Sequence, residues 1–208
     1  ESLIIREGYL DQATDIGYEM EKKGVKVLVS RGGTTKKLQN SDLQIPVIDI
    51  PITEADVIRV LAEAKKISNR IAVIGYEALV EGAQVIGPLL DLDVHTFLLD
   101  SNENINEIIK EISNMGIKVI VGAKLSVVEA KKHGITGILI KSQKPLVIAA
   151  IKEAIKLLDA IKKERIWGKQ IEAIFNSIPE GIVSINQEGM ITSFNAIAEN
   201  IFNISSDI

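Results

Sequence analysis

Val25-Lys26-Val27-Leu28-Val29-Ser30-Arg31-Gly32-Gly33-Thr34-Thr35-Lys36-Lys37-Leu38-Gln39 is an apolar run, a polar hinge with two adjacent glycines, and then a helical pattern. Residues 25–29 read as a strand and 34–39 as the start of a short helix, so the stretch is a strand–loop–helix unit. Open parallel sheets hold ligands beyond the carboxyl ends of their strands. Ser30, Arg31, Gly32, Gly33, Thr34 and Thr35 occupy that position here. The glycines let backbone N–H groups approach a ligand closely, and the helix start favours an anion. Arg31 can grip a carboxylate or phosphate with two parallel hydrogen bonds, and Thr34 or Thr35 can add a hydroxyl. The plainer alternative is a tight turn in which Thr34 is an ordinary N-cap and Arg31 is solvated. The spacing to a Lys-Ser/Thr pair that a Walker loop needs is absent.

The same alternation runs outward in both directions. Residues 3–5 read as a short strand, 11–23 as an amphipathic helix ending at Gly24, and 47–50 as a strand between Pro46 and Pro51. Thr53-Glu54-Ala55-Asp56 is a capping-box pattern that opens a helix over 53–67. Strands follow at 71–74, 94–99, 118–121 and 137–140, with helices from about 78, at 105–115 and at 125–133 between them. Strands separated by helices imply right-handed crossovers and parallel sheets. Seven strands exceed one half-sheet, and the turn near Asn69-Arg70 reads as a crossover between two lobes. Lobe one is expected over about 1–68 plus a helix at 144–160, and lobe two over about 70–142. The expected class is thus α/β: two Rossmann-like lobes with parallel sheets, similar in shape to periplasmic binding proteins. Lobe one lacks an opening strand–helix unit, the chain starts at Glu1 without Met, and it stops at Ile208 in mid-pattern, so a piece of a longer protein is expected.

In lobe two, Gly75-Tyr76-Glu77, Gly122-Ala123-Lys124 and Lys141-Ser142 each follow a strand. Gly75 and Gly122 free the backbone at a helix entrance, while Tyr76, Glu77, Lys124 and Ser142 offer polar groups to a ligand between the lobes. Strand-end glycines and surface lysines are common, so the signal lies in their convergence on one cleft. Catalytic sets are poor: His95 falls within a strand pattern, His133 at a helix end, and Asp56 is expected to cap. From Lys144 onward, Ile148, Ile151, Ile155, Leu158 and Ile161 step by three or four along one long helix reaching about residue 175. Its first half is expected to pack and its second half, 161–173, to link, with a dimer seam along it. Residues 181–186 and 190–194 read as a hairpin around Gln187-Glu188-Gly189, followed by a short helix at 196–202, which is antiparallel α+β texture.

The chain has 208 residues, no cysteine, two histidines and a net charge of −4. Disulfides, thiolate catalysis and thiolate metal sites are excluded, and a histidine-based zinc site is poorly supported. An acidic balance argues against direct binding of DNA by this segment. Neither an apolar run of membrane-span length nor a signal peptide is visible, so a cytoplasmic protein making no membrane contact is expected.

The run Val29-Ser30-Arg31-Gly32-Gly33-Thr34, then 45–50 with Asp56, 71–75, 119–122, Ala130, Gly134, 137–140 and Ser142 resemble the N-terminal sensor domain of propionate-catabolism activators of the PrpR type, over about residues 1–160. Residues 174–182, 186–189, Ile191, 195–199 and Phe202 resemble the first part of a PAS domain, expected as a truncated segment over 174–208. The resemblance implies an NtrC-family, sigma-54-dependent regulator that binds a small organic acid or other anionic effector. It implies that this part is no enzyme and needs no cofactor. DNA, sigma-54 polymerase and ATP would then be engaged only by other parts of the full protein, an AAA+ domain among them, and a homodimer is expected. Ala123-Lys124 departs from the smaller or acidic residue that follows the glycine in many such proteins, which leaves the effector no more specific than a small organic acid. Two other readings fit the two-lobed shape: a solute-binding protein of a transporter, and a cysteine-independent isomerase or racemase-like enzyme.

Overall fold

The structure, a computed structural model, describes residues 3–8, 11–99 and 104–203; the final five positions of the expected 174–208 segment lie outside the described residues. It divides into two compact units, Glu1–Ile155 and Lys156–Ile208.

In the first unit the elements run α1 (Asp11–Lys22), β1 (Leu28–Ser30), α2 (Gly33–Gln39), β2 (Val47–Asp49), α3 (Glu54–Lys65), β3 (Arg70–Gly75), α4 (Glu77–Leu89), β4 (Asp93–Leu98), α5 (Ile105–Asn114), β5 (Val119–Gly122), α6 (Lys124–Lys132) and β6 (Thr136–Leu139). β1 and β2 form a parallel pair, Leu28 opposite Val47 and Ser30 opposite Asp49. The other four strands form a parallel sheet in the order β4-β3-β5-β6. Both faces of that sheet are covered, and its sequence shows it: consecutive β3 residues alternate between two cores. Ile71 and Val73 pack with Val57, Val60 and Leu61 of α3 and Leu79 and Ala83 of α4. Ala72 and Ile74 pack on the opposite side with Ile105, Ile109 and Ile112 of α5 and Ala130 of α6.

Two expectations change. The strand at 3–5 does not form: Leu3, Ile4 and Ile5 are exposed and lie outside any ladder. An apolar tripeptide becomes a strand only where a neighbour completes its backbone hydrogen bonds, and β1 and β2 pair solely with each other among the described strands. The first sheet is therefore a two-stranded ribbon, smaller than a Rossmann-like lobe. Helix α3, grouped by sequence with that ribbon, buries its apolar face on the four-stranded sheet instead.

The capping box at the start of α3 is present. Thr53 Oγ1 accepts from the Asp56 N–H at 3.3 Å, and the Thr53 N–H donates to Asp56 Oδ2 at 3.2 Å. Asp56 is fully buried, and its other oxygen accepts from the Arg59 guanidinium at 2.7 Å. Arg59 also donates to the Lys141 carbonyl at 2.7 Å, which ties α3 to the segment after β6.

In the second unit, α7 (Lys144–Ser177), which begins in the first, leads to an antiparallel hairpin of β7 (Val183–Ile185) and β8 (Ile191–Phe194) and to α8 (Ala196–Phe202). Gly189 turns the hairpin at φ +78°. Buried Asn195 joins the pieces. Its Oδ1 accepts from the N–H groups of Ile182 and Ala198, and its Nδ2 donates to the Glu180 carbonyl.

One contact links the ribbon to the four-stranded sheet with unusual intimacy. A Cβ placed on Gly33 would lie 1.7 Å from Tyr76 Cε2, so the Tyr76 ring rests directly on the Gly33 backbone. Alanine is the better helix former by about 1 kcal/mol, yet Gly33→Ala is expected to destabilise the unit by about 1–3 kcal/mol, the usual cost of overpacking. In a Tyr76→Ala background the same substitution becomes neutral or mildly stabilising, and denaturant unfolding of the four proteins measures the coupling.

Candidate functional site

Strand order reverses at β3: its successor β4 lies on one side and β5 on the other. Helices leave from both carboxyl ends, α4 after Gly75 and α6 after Gly122, so a crevice opens between them. The loop after β1 reaches the same place. Together they enclose a cavity of about 500 Å³, within the usual range for small-molecule sites.

Eight of the twelve residues singled out in the sequence line this cavity: Arg31, Gly32, Gly33, Thr34, Gly75, Tyr76, Lys124 and Ser142. Ser30, Thr35, Glu77 and Gly122 do not. Ser30 belongs to the β1 ladder, where its carbonyl accepts from the Ile50 N–H at 2.8 Å. Thr35 is buried on the inner side of α2. Glu77 is exposed and paired with Lys36 of α2, whose ammonium holds the Glu77 carboxyl below its usual range. Gly122 packs against β3: a Cβ there would stand 2.9 Å from the Ile74 carbonyl oxygen.

Arg31 is the central charged group. It is half-buried, and its guanidinium donates to the Ile140 carbonyl at 3.1 Å, spanning from the ribbon to the end of β6. Burial pushes its pKa below the usual arginine value, against the opposing pull of Asp56 and Asp49. No carboxylate forms an ion pair with it among the described residues. Gly32, at φ +59°, sits in the left-handed region that glycine tolerates. Its N–H donates to Asp49 Oδ1 at 3.2 Å, fixing the loop that presents Arg31. Lys124 is exposed and ion-paired with Glu7, so it contributes less charge to the cavity than its position suggests.

Sequence reasoning missed most of the wall. Ile50, Ile52, Leu125, Leu139, Ile140 and Val147 line it, as does Ser126. Ser126 is 1% exposed, and its hydroxyl has no hydrogen-bond partner among the described residues. The signal that could have found it is a serine on the inward face of a helix, where the period calls for an apolar residue. Among the described residues the lining contains no carboxylate, imidazole or thiol. Among the described residues no cluster of His, Cys, Asp or Glu is placed to hold a metal, and no helix is long and apolar enough to cross a membrane.

Residues 1–164 match the family described as "Propionate catabolism activator". An NtrC family transcriptional regulator from Clostridium acetobutylicum, known from a crystal structure, is 29% identical, with 74% of this chain and 81% of that chain covered and a TM-score of 0.66. The glutamate racemase of Aquifex pyrophilus is 16% identical over 62% of this chain and 60% of that one, with a TM-score of 0.31, a likeness too slight to bear on fold or activity. A match over residues 1–164 and an NtrC-family neighbour with the same architecture give one conclusion: the chain belongs to the propionate catabolism activator family, and it is a regulatory sensor domain of a transcriptional activator.

Proposed function

We propose that the first unit binds a small organic acid or similar anion in the cavity at the β3–β5 crevice and that the occupied state is signalled through α7. The observation that carries this is Arg31. A half-buried guanidinium that meets a neutral carbonyl and forms no ion pair among the described residues is costly. A ligand carboxylate offsets that cost with charge-assisted hydrogen bonds. A lining that holds no carboxylate, imidazole or thiol among the described residues supports binding rather than turnover.

Binding shifts an equilibrium only where the ligand contacts one state better than another. Here a ligand touches the ribbon through Arg31 and the four-stranded sheet through the loops after β3, β5 and β6, so it favours the arrangement in which these are held together. Val147, in the first turns of α7, lines the same cavity. In this reading a residue of the 34-residue helix lies against the bound effector. The second unit we read as the opening part of a PAS-type module, on the strength of its hairpin and the Asn195 hub. ATP hydrolysis and contacts with DNA and sigma-54 polymerase we assign to other domains of the full regulator, working in the cytoplasm. The unit itself needs no cofactor in this reading.

Arg31→Ala is expected to weaken carboxylate binding by about 10- to 100-fold, the loss of one charge-assisted interaction, while leaving the ligand-free unit folded. A thermal-shift panel of acetate, propionate, butanoate, succinate and citrate followed by calorimetry checks this, since a ligand at about 100 times its Kd adds about 2.7 kcal/mol of stability. Unchanged affinity in the variant defeats the proposal.

Homodimerisation belongs to the same reading. Trp167, Ile171 and Ile174 are exposed on α7 at i, i+4 and i+7, the spacing of a helix–helix seam. Sedimentation is expected to show a dimer that Trp167→Glu converts to monomer; a monomer over the whole concentration range for the unsubstituted chain contradicts it.

A further inference from the structure

The wall of the cavity says more about its ligand than the charge does. Ile50, Ile52, Leu125, Leu139 and Val147 line it and are half-buried, with buried Ile140 beside them. Aliphatic side chains left partly uncovered in one concave patch mark a surface that gains by being covered with something apolar. Of the cations in the lining, Lys124 and Lys141 are exposed, and Lys124 is held by Glu7. Arg31 alone among them is partly withdrawn from water. A polycarboxylate needs a charged or hydrogen-bonding partner for each of its carboxylates, and those seated against this wall would be left without one.

A second polar feature stands apart from Arg31. Ser126 lies in the first turn of α6, a nine-residue helix whose N-cap residue, Ala123, has no side chain able to cap it. The Ser126 hydroxyl is buried and unsatisfied among the described residues, and the residue lines the cavity. Buried hydroxyls in native proteins nearly always have a partner, and a ligand oxygen supplies one here.

We propose that the cavity is built for a monocarboxylate with an aliphatic body, its oxygens met by Arg31 and the Ser126 hydroxyl and its hydrocarbon part laid against Ile50, Ile52, Leu125, Leu139 and Val147. This rests on the reading of the cavity as an anion-binding effector site and narrows it to one class of acid.

The test is calorimetry on the 208-residue chain with butanoate, hexanoate and octanoate, with octan-1-ol as the neutral analogue, and with citrate and propane-1,2,3-tricarboxylate. Each added methylene is expected to tighten binding about fourfold, so each two-carbon step gives about 15-fold. Octan-1-ol and both tricarboxylates bind at least about tenfold more weakly than octanoate, the loss of a charge-assisted hydrogen bond for the first and an unpaired carboxylate for the others. Ser126→Ala weakens octanoate about fivefold, one net hydrogen bond, without lowering the ligand-free melting temperature, because the hydroxyl it removes has no partner to lose. A flat series, tricarboxylates tighter than octanoate, octan-1-ol equal to octanoate, or no binding by any monocarboxylate overturns the proposal. If tricarboxylates bind and Arg31→Ala abolishes that binding, the anion-site reading stands while the aliphatic class falls. If octanoate binds equally well to Arg31→Ala, both fall.

Discussion

A parallel sheet whose strand order reverses at one strand cannot cover both carboxyl ends beside that reversal. The crossover after β3 goes to one side and the chain returns to β5 on the other, so α4 and α6 diverge and leave a crevice between Gly75 and Gly122. The two-sided burial of β3 and β5 makes this geometry rigid: Ile71, Val73, Val119 and Val121 are held in one core and Ala72, Ile74 and Ile120 in the other. Exchanging register or face would expose fully buried aliphatics, each worth about 1.5–3 kcal/mol on burial. The cavity is thus a consequence of topology, and the side chains around it decide what it holds.

The small ribbon of β1 and β2 supplies the charge. A two-stranded ribbon is marginal by itself, and here it is held by two contacts made at the cavity, the Tyr76 ring on Gly33 and the Arg31 bond to the Ile140 carbonyl, and by the exposed Lys36–Glu77 pair outside the lining. The last contributes least, since exposed ion pairs are typically worth under about 1 kcal/mol. The contacts that hold the ribbon are therefore concentrated where an effector would sit, and a ligand that strengthens or replaces them bears directly on how tightly the ribbon is held. Val147 brings the first turns of α7 to the same wall, the contact that the proposed signalling uses.

Much of this was legible in the sequence because it depends on local pattern. The β-branched runs gave the strands of the four-stranded sheet, Thr53 to Asp56 gave the capping box, and strand ends followed by glycine gave Arg31, Gly33, Gly75 and Tyr76 at the cavity. What failed depends on long-range pairing. Residues 3–5 look like a strand but pair with none of the described strands. α3 is apolar on one face whichever sheet it covers, so its period could not say that it packs on β3 and β5. Glu77 is polar and well placed in sequence, yet it pairs with Lys36 outside the cavity lining, while Lys124 reaches the lining with Glu7 paired to it. Ser126 and the aliphatic wall carry no motif, and only the folded arrangement brings them together.

The central claim is that one anionic effector is held jointly by the ribbon loop and the loops of the four-stranded sheet. Hydrogen exchange, with and without the carboxylate that most raises the melting temperature, tests it directly. The account predicts slowed exchange together at residues 31–34, 75–79, 123–126 and 139–142, with the first turns of α7 following and residues 183–194 little changed. Slowing confined to one sheet's loops, or centred away from these segments, would contradict it.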